Sequence, residues 1–187
     1  ASQSAQDGGT GPMNYFIDSL FRRDANAPAA ERYKAVGGDN KGMYAWGSPD
    51  GIHWRKYNNL ATTDPRYAES DPVLLPGANG AWDGQRLLDP NVVRAENGWV
   101  MAYLSAAPPG TAPKNYSAFG YATSSDGITW HKSEANPVLS TLNVSDWLGI
   151  YLGNLLYQNG TLSLYFDVGQ LGFTNVWMAT HQGLLNN

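Results

Sequence analysis

Two aspartates stand in matching surroundings at the start of β-like runs. Phe16-Ile-Asp18-Ser-Leu-Phe-Arg22 matches Leu87-Leu-Asp89-Pro-Asn-Val-Val-Arg94 when one residue is dropped. Two carboxyl groups held near one another can divide acid and base work. Each charge raises its neighbour's pKa, so one stays protonated while the other ionises. The same residues also have a purely structural reading. An Asp ahead of a strand accepts backbone N–H bonds in a turn, and Asp89-Pro90 is a common turn opener. The elements that position them decide between the two.

Those elements repeat. Ser48-Pro-Asp50-Gly-Ile52-His-Trp54-Arg-Lys56 returns as Ser124-Ser-Asp126-Gly-Ile128-Thr-Trp130-His-Lys132, each copy preceded by an aromatic run. Asp-Gly between β-like runs tolerates positive φ, so each copy reads as a hairpin, and Asp50 and Asp126 are assigned to its turn. Trp54 and Trp130 are expected to pack between neighbouring sheets. A fainter repeat pairs Leu88–Arg94, Asn97-Gly98 and Trp99–Tyr103 with Asn154–Tyr157, Asn159-Gly160 and Leu162–Phe166. In that alignment Tyr151 falls opposite Asp89.

The repeats combine into units of four antiparallel strands, at roughly 14–58, 82–135 and 147–182, after a flexible N-terminal segment, 1–13. Four-stranded sheets recurring along a chain predict an all-β fold, a β-propeller with about three blades visible over 14–187. A sandwich has no reason to repeat Asp-Gly-Ile-x-Trp in register. A parallel sheet needs amphipathic crossover helices, and only Ala29-Ala-Glu-Arg is weakly helical. Propellers close with four or more blades, so missing blades are expected from absent sequence or another chain.

Composition narrows the partners. A net charge of −4 leaves no basic patch for nucleic acid. No apolar run is long enough to span a membrane as a helix. The absence of Cys removes disulfides and thiolate chemistry. The dispersed His53, His131 and His181 lack metal-ligand spacing, so no zinc site is expected. The start of the chain has neither a basic nor an apolar leader region, which is how a processed or truncated N-terminus would look.

The leading Asp, the strand pair and then Tyr-Ala-Thr-Ser with Asp-Gly-x-x-Trp resemble the five-bladed propeller glycoside hydrolases: the invertase-, arabinanase- and xylosidase-like enzymes and the mannoside phosphorylases. The segment from Pro28 to Val36, followed by Tyr44 to Trp54, resembles a bacterial branch of that group. The resemblance implies a funnel on the propeller axis with acids on the first strands of successive blades. It carries over as catalytic candidates to Asp18 and Asp89. At the third blade Tyr151 stands where an acid is expected, with Asp146 nearby. Cleavage of a glycosidic bond needs one carboxyl to protonate the leaving oxygen and a second to act on the anomeric carbon or a water. Residues near the strand openings, Trp82, Asp83, Arg86, Asp146, Trp147 and Tyr151, are the candidate substrate-binding set. Flat rings such as Trp82 and Trp147 suit the C–H faces of sugars; Trp46, Trp99 and Trp177 read as packing residues. The implied partner is carbohydrate, the implied setting extracellular or periplasmic, and no cofactor is required, although an axial calcium is compatible with the fold. Two alternatives are a non-catalytic carbohydrate-binding propeller and a sialidase-like enzyme using Arg22, Arg86 and Arg94.

Overall fold

The computed structural model describes residues 16–20, 24–25, 27–39, 42–106, 117–141, 149–170 and 173–183. The segment 1–13, Asp146 and Trp147 lie outside these residues, as does the side chain of Asp18. The described chain is all-β, with two single-turn 3-10 segments and three antiparallel sheets. The first sheet runs β1 (Phe16–Leu20), β2 (Tyr33–Asp39), β3 (Gly42–Ser48) and β4 (Arg55–Lys56), with β5 (Pro72–Leu74) also paired to β3. The second repeats this plan: β6 (Leu88–Ala95), β7 (Gly98–Ala106) and β8 (Ser117–Ser124), with β9 (His131–Lys132) and β10 (Leu139–Ser140) both on β8. The third holds β11 (Gly149–Gln158), β12 (Thr161–Gln170) and β13 (Phe173–Gln182).

Alternation along β7 shows how the sheets stack. Trp99, Met101 and Tyr103 face one way and pack with Val36, Met43 and Ala45 of the first sheet. Val100, Ala102 and Leu104 face the other way and pack with Leu162, Leu164, Phe166 and Val168 of the third. A period of two puts successive side chains on opposite faces, so a strand apolar at every position must be covered on both sides. Three sheets stacked face to face, each a meander from inner to outer strand, are blades of a propeller, and the set is open.

The two Asp-Gly loops superpose bond for bond. Ser48 Oγ accepts from the Gly51 N–H at 2.8 Å, and Asp50 Oδ1 accepts from Ile52 and His53 at 2.8 Å each. Ser124 Oγ accepts from Gly127 at 2.8 Å, and Asp126 Oδ1 from Ile128 at 2.8 Å and Thr129 at 2.7 Å. The connection is longer than a two-residue turn, with the Ser and Asp side chains satisfying its inward N–H groups. Gly51 and Gly127 stand at φ 79° and 78°, which explains the Gly after each Asp. Each Trp indole then donates to the carbonyl of its own loop glycine, Trp54 to Gly51 and Trp130 to Gly127. Trp130 lies between the first and second sheets, as expected. Trp54 does not lie between two described sheets: it packs with Ala35, Tyr44 and Trp46 on the opposite face of the first.

Blade one meets the approach to blade two through Gly38. A Cβ there would stand 2.3 Å from the Leu87 carbonyl oxygen and 2.6 Å from Met43 Sδ. Backbone cannot yield as a side chain can, so Gly38→Ala is expected to destabilise the fold by about 1–3 kcal/mol. An unchanged urea midpoint would show that the two blades approach less closely than this.

Candidate functional site

The three inner strands share one irregularity. In each, two residues stand opposite one on the neighbouring strand: Ile17 and Asp18 opposite Gly37, Asp89 and Pro90 opposite Tyr103, Leu152 and Gly153 opposite Phe166. A β-bulge of this kind bends the strand and re-aims its side chains. The strands lie side by side, β6 being in contact with both β1 and β11. The bulges therefore lie on a row of three neighbouring strands, and both aspartates singled out from the sequence stand at bulges in it.

Asp89 is unusual within that row. Its φ is +47°, one of two positive values among the described non-glycine residues, and the other belongs to the Asn159 turn. Left-handed backbone costs energy in any residue with a side chain and recurs where function demands a particular direction. Burial pushes the Asp89 carboxyl above its ordinary value, while the Arg86 guanidinium pulls it back. The pairing produces a half-buried acid with a raised pKa beside a cation. Arg86 itself donates from Nε to the Ala106 carbonyl at 3.5 Å.

The loop before β6 carries the other candidates, and the structure divides them. Asp83 is 3% exposed. It accepts from Lys132 Nζ at 2.5 Å and from the Tyr103 hydroxyl at 3.3 Å, and Asn136 donates to that same hydroxyl. Burial and the Asp83 charge together push the Tyr103 phenol well above its usual value, so it stays a donor. Trp82 stacks on Tyr103 with ring centroids 5.6 Å apart, and its ring fills a slot above Gly120 that a Cβ would close. Asp83 and Trp82 thus hold the loop on blade two. Arg86, four residues beyond Trp82, is the member of this group near the bulge acid.

Tyr151 is exposed on β11, paired with Asp167. The register corrects its alignment: Tyr151 pairs at the level of Leu88, and Leu152 and Gly153 occupy the bulge positions that Asp89 and Pro90 hold in the second sheet. The third bulge has no acid. Trp177, read as a packing residue, is 45% exposed on the edge strand β13. The residue that sequence reasoning missed is Asn91. Its Oδ1 accepts from the Leu155 N–H at 3.1 Å and its Nδ2 donates to the Gly153 carbonyl at 3.4 Å, clipping the second bulge to the third. Asn154 at the corresponding position of β11 is the one sequence signal that could have revealed it. No group of three or more His, Cys, Asp or Glu that could hold a metal occurs among the described residues, and no described helix is long and apolar enough to cross a membrane.

No protein-family model matches the chain, and no curated protein matches it either. Solved structures do. A complex of BT0996 with RGII superposes with a TM-score of 0.59 at 16% identity, over 88% of this chain and 45% of that one. A glycosyl hydrolase from Bacteroides ovatus gives 0.56 at 19% identity, over 80% and 42%. The Bombyx mori GH32 β-fructofuranosidase BmSUC1 gives 0.52 at 17% identity, over 82% and 32%. The chain spans less than half the length of these structures. At such identities the likeness establishes the fold alone, that of an antiparallel β-propeller.

Proposed function

We propose that this chain forms part of a glycoside hydrolase-like propeller that cleaves glycosidic bonds in an oligo- or polysaccharide, in an extracellular or periplasmic setting. The observation that carries the reading is Asp89: a half-buried carboxyl with raised pKa, held at φ +47° in a bulge beside the strand that bears Asp18. Carboxyls on adjacent rigid strands meet the chemical need for one proton donor and one group acting on the anomeric carbon or on water. Two neighbours of this fold are described as glycoside or glycosyl hydrolases and a third as a fructofuranosidase, which fits a saccharide substrate.

Asp89→Asn is the direct test. Turnover across a panel of glycosides is expected to fall about 10²–10⁴-fold; turnover equal to wild type would end the proposal. Arg86 supplies a second handle. Its charge lowers the Asp89 pKa, so Arg86→Gln is expected to raise it and move the Asp89 limb of the pH–rate profile to higher pH. A limb that stays in place or moves down would detach Arg86 from the acid.

A second reading, a carbohydrate-binding propeller without catalysis, is favoured by one observation: the third bulge offers Leu152 and Gly153 in place of an acid. Equal glycan binding by Asp89→Ala and wild type, with hydrolysis by neither, would select it.

A further inference from the structure

On the edge of the first sheet opposite β1, a cleft of about 260 Å³ opens beside β3 and β4 and reaches the Asp-Gly loop of the second sheet. Among the described residues, Lys34, Arg55, Lys56, Tyr57, Asn58 and Ile128 line it, and Glu31 is the one acid. In a chain of net charge −4, the cleft gathers three cations against one carboxylate. It is a different place from the row of bulges, which lies on the innermost strands.

Lys34 makes the cleft more than a surface dip. Its side chain is 9% exposed, and its ammonium donates to the Asp126 carbonyl at 2.7 Å. Among the described residues the nearest carboxylate oxygen, on Glu31, is 3.9 Å away, beyond hydrogen-bond length. An ammonium has three donors, and a buried charge with donors unmet is unfavourable unless something supplies acceptors. Arg55, exposed on β4, has no hydrogen bond or ion pair from its guanidinium to any described residue. Beside these donors are groups of the other kind. Asn58 spends one amide N–H on the Ala68 carbonyl at 3.1 Å, leaving its own oxygen as an acceptor, and Tyr57 adds a half-buried ring.

We propose that this cleft is a second binding site, for a sugar acid. The carboxylate takes the donors of Lys34 and Arg55, the ring lies along Tyr57, and hydroxyl groups reach the Asn58 oxygen. A bare anion would leave the Tyr57 face and the Asn58 acceptor unused, and a neutral sugar would leave the Lys34 and Arg55 donors unmet. Because Lys34 also holds the loop of the next blade, the bound ligand stabilises the junction of the first two sheets.

The experiment is a titration of the 187-residue chain with D-glucuronate, D-glucose and acetate, followed by heteronuclear NMR, with thermal melting as a second readout. Glucuronate is expected to bind saturably, to shift amides near residues 55–58 and 126–128, and to raise the melting temperature. Glucose and acetate are each expected to bind about tenfold more weakly. Arg55→Ala, an exposed substitution that leaves folding intact, is expected to weaken glucuronate about tenfold, and Arg55→Lys to restore part of that. Asp89→Asn is expected to bind glucuronate as wild type does, which separates this site from the proposed catalytic one. The proposal is overturned by equal binding of glucose, by acetate matching glucuronate, by an unaffected Arg55→Ala, or by no saturable signal.

Discussion

Asp83→Ala is expected to cost about 3 kcal/mol of folding stability. The carboxylate is almost fully enclosed, takes the Lys132 ammonium and the Tyr103 hydroxyl, and faces Gly77 so closely that a Cβ there would stand 2.2 Å from it. Removing it leaves a partly buried ammonium and a buried hydroxyl without their acceptor, and frees the loop that carries Trp82 and Arg86. The figure is at the low end for a broken buried pair because the Lys132 side chain is 28% exposed and can turn toward water. Lys132→Met leaves the harder problem, an enclosed carboxylate without its cation. Urea denaturation should therefore show Lys132→Met destabilised at least as much as Asp83→Ala. The double variant Asp83→Leu with Lys132→Met should be less destabilised than the sum of the singles. Additive losses would mean that the two side chains are not coupled. A sugar-contacting Asp83, as the sequence suggested, would instead give a stable variant with weakened binding.

The blades were legible because their punctuation is chemical. Ser-x-Asp-Gly-x-x-Trp states a loop in residue types, and each part of it reappears as a bond: the hydroxyl and carboxylate on backbone N–H groups, the indole on the glycine carbonyl. The unbroken apolar run of β7 likewise demanded cover on both faces. What escaped was register. A bulge adds a residue without marking it in the sequence, so aligning by residue type set Asp18 on Asp89, whereas by strand pairing Asp18 stands at the level of Pro90. Tyr151 was set opposite Asp89 by the turns: Asn159-Gly160 fills its turn, whereas Gly98 is already paired with Ala95, so matching the two Asn-Gly pairs slips the strands by one residue. The short strands β5 and β10 carry too few residues to show a period of two. The links between blades, Lys34 to the Asp126 carbonyl and Asn91 to Gly153 and Leu155, join residues distant in sequence, and only the fold brings them together.

Asp89→Gly should show what the left-handed backbone at the second bulge is for. Glycine adopts φ +47° without a Cβ clash, so the strain held by Asp89 is released, a gain of about 1 kcal/mol. A second gain depends on pH. Burial raises the Asp89 pKa in the folded state, so its protonated form favours folding below the unfolded value, and that contribution is lost as pH rises through the folded value. As pH rises the wild type must come to hold a partly desolvated carboxylate that the variant lacks. The stability advantage of Asp89→Gly should therefore be larger at pH 7 than at pH 3, while hydrolysis falls with the loss of the carboxyl. Asp89→Asn separates the two terms, keeping a side chain tolerant of left-handed backbone and removing only the charge. Its advantage should nearly vanish at low pH, whereas that of the glycine variant should persist. An Asp89 that merely opened a turn would give the opposite result: both substitutions would lose backbone hydrogen bonds and destabilise the protein at every pH. A gain in stability coupled to a loss of turnover is the mark of a residue kept for its chemistry.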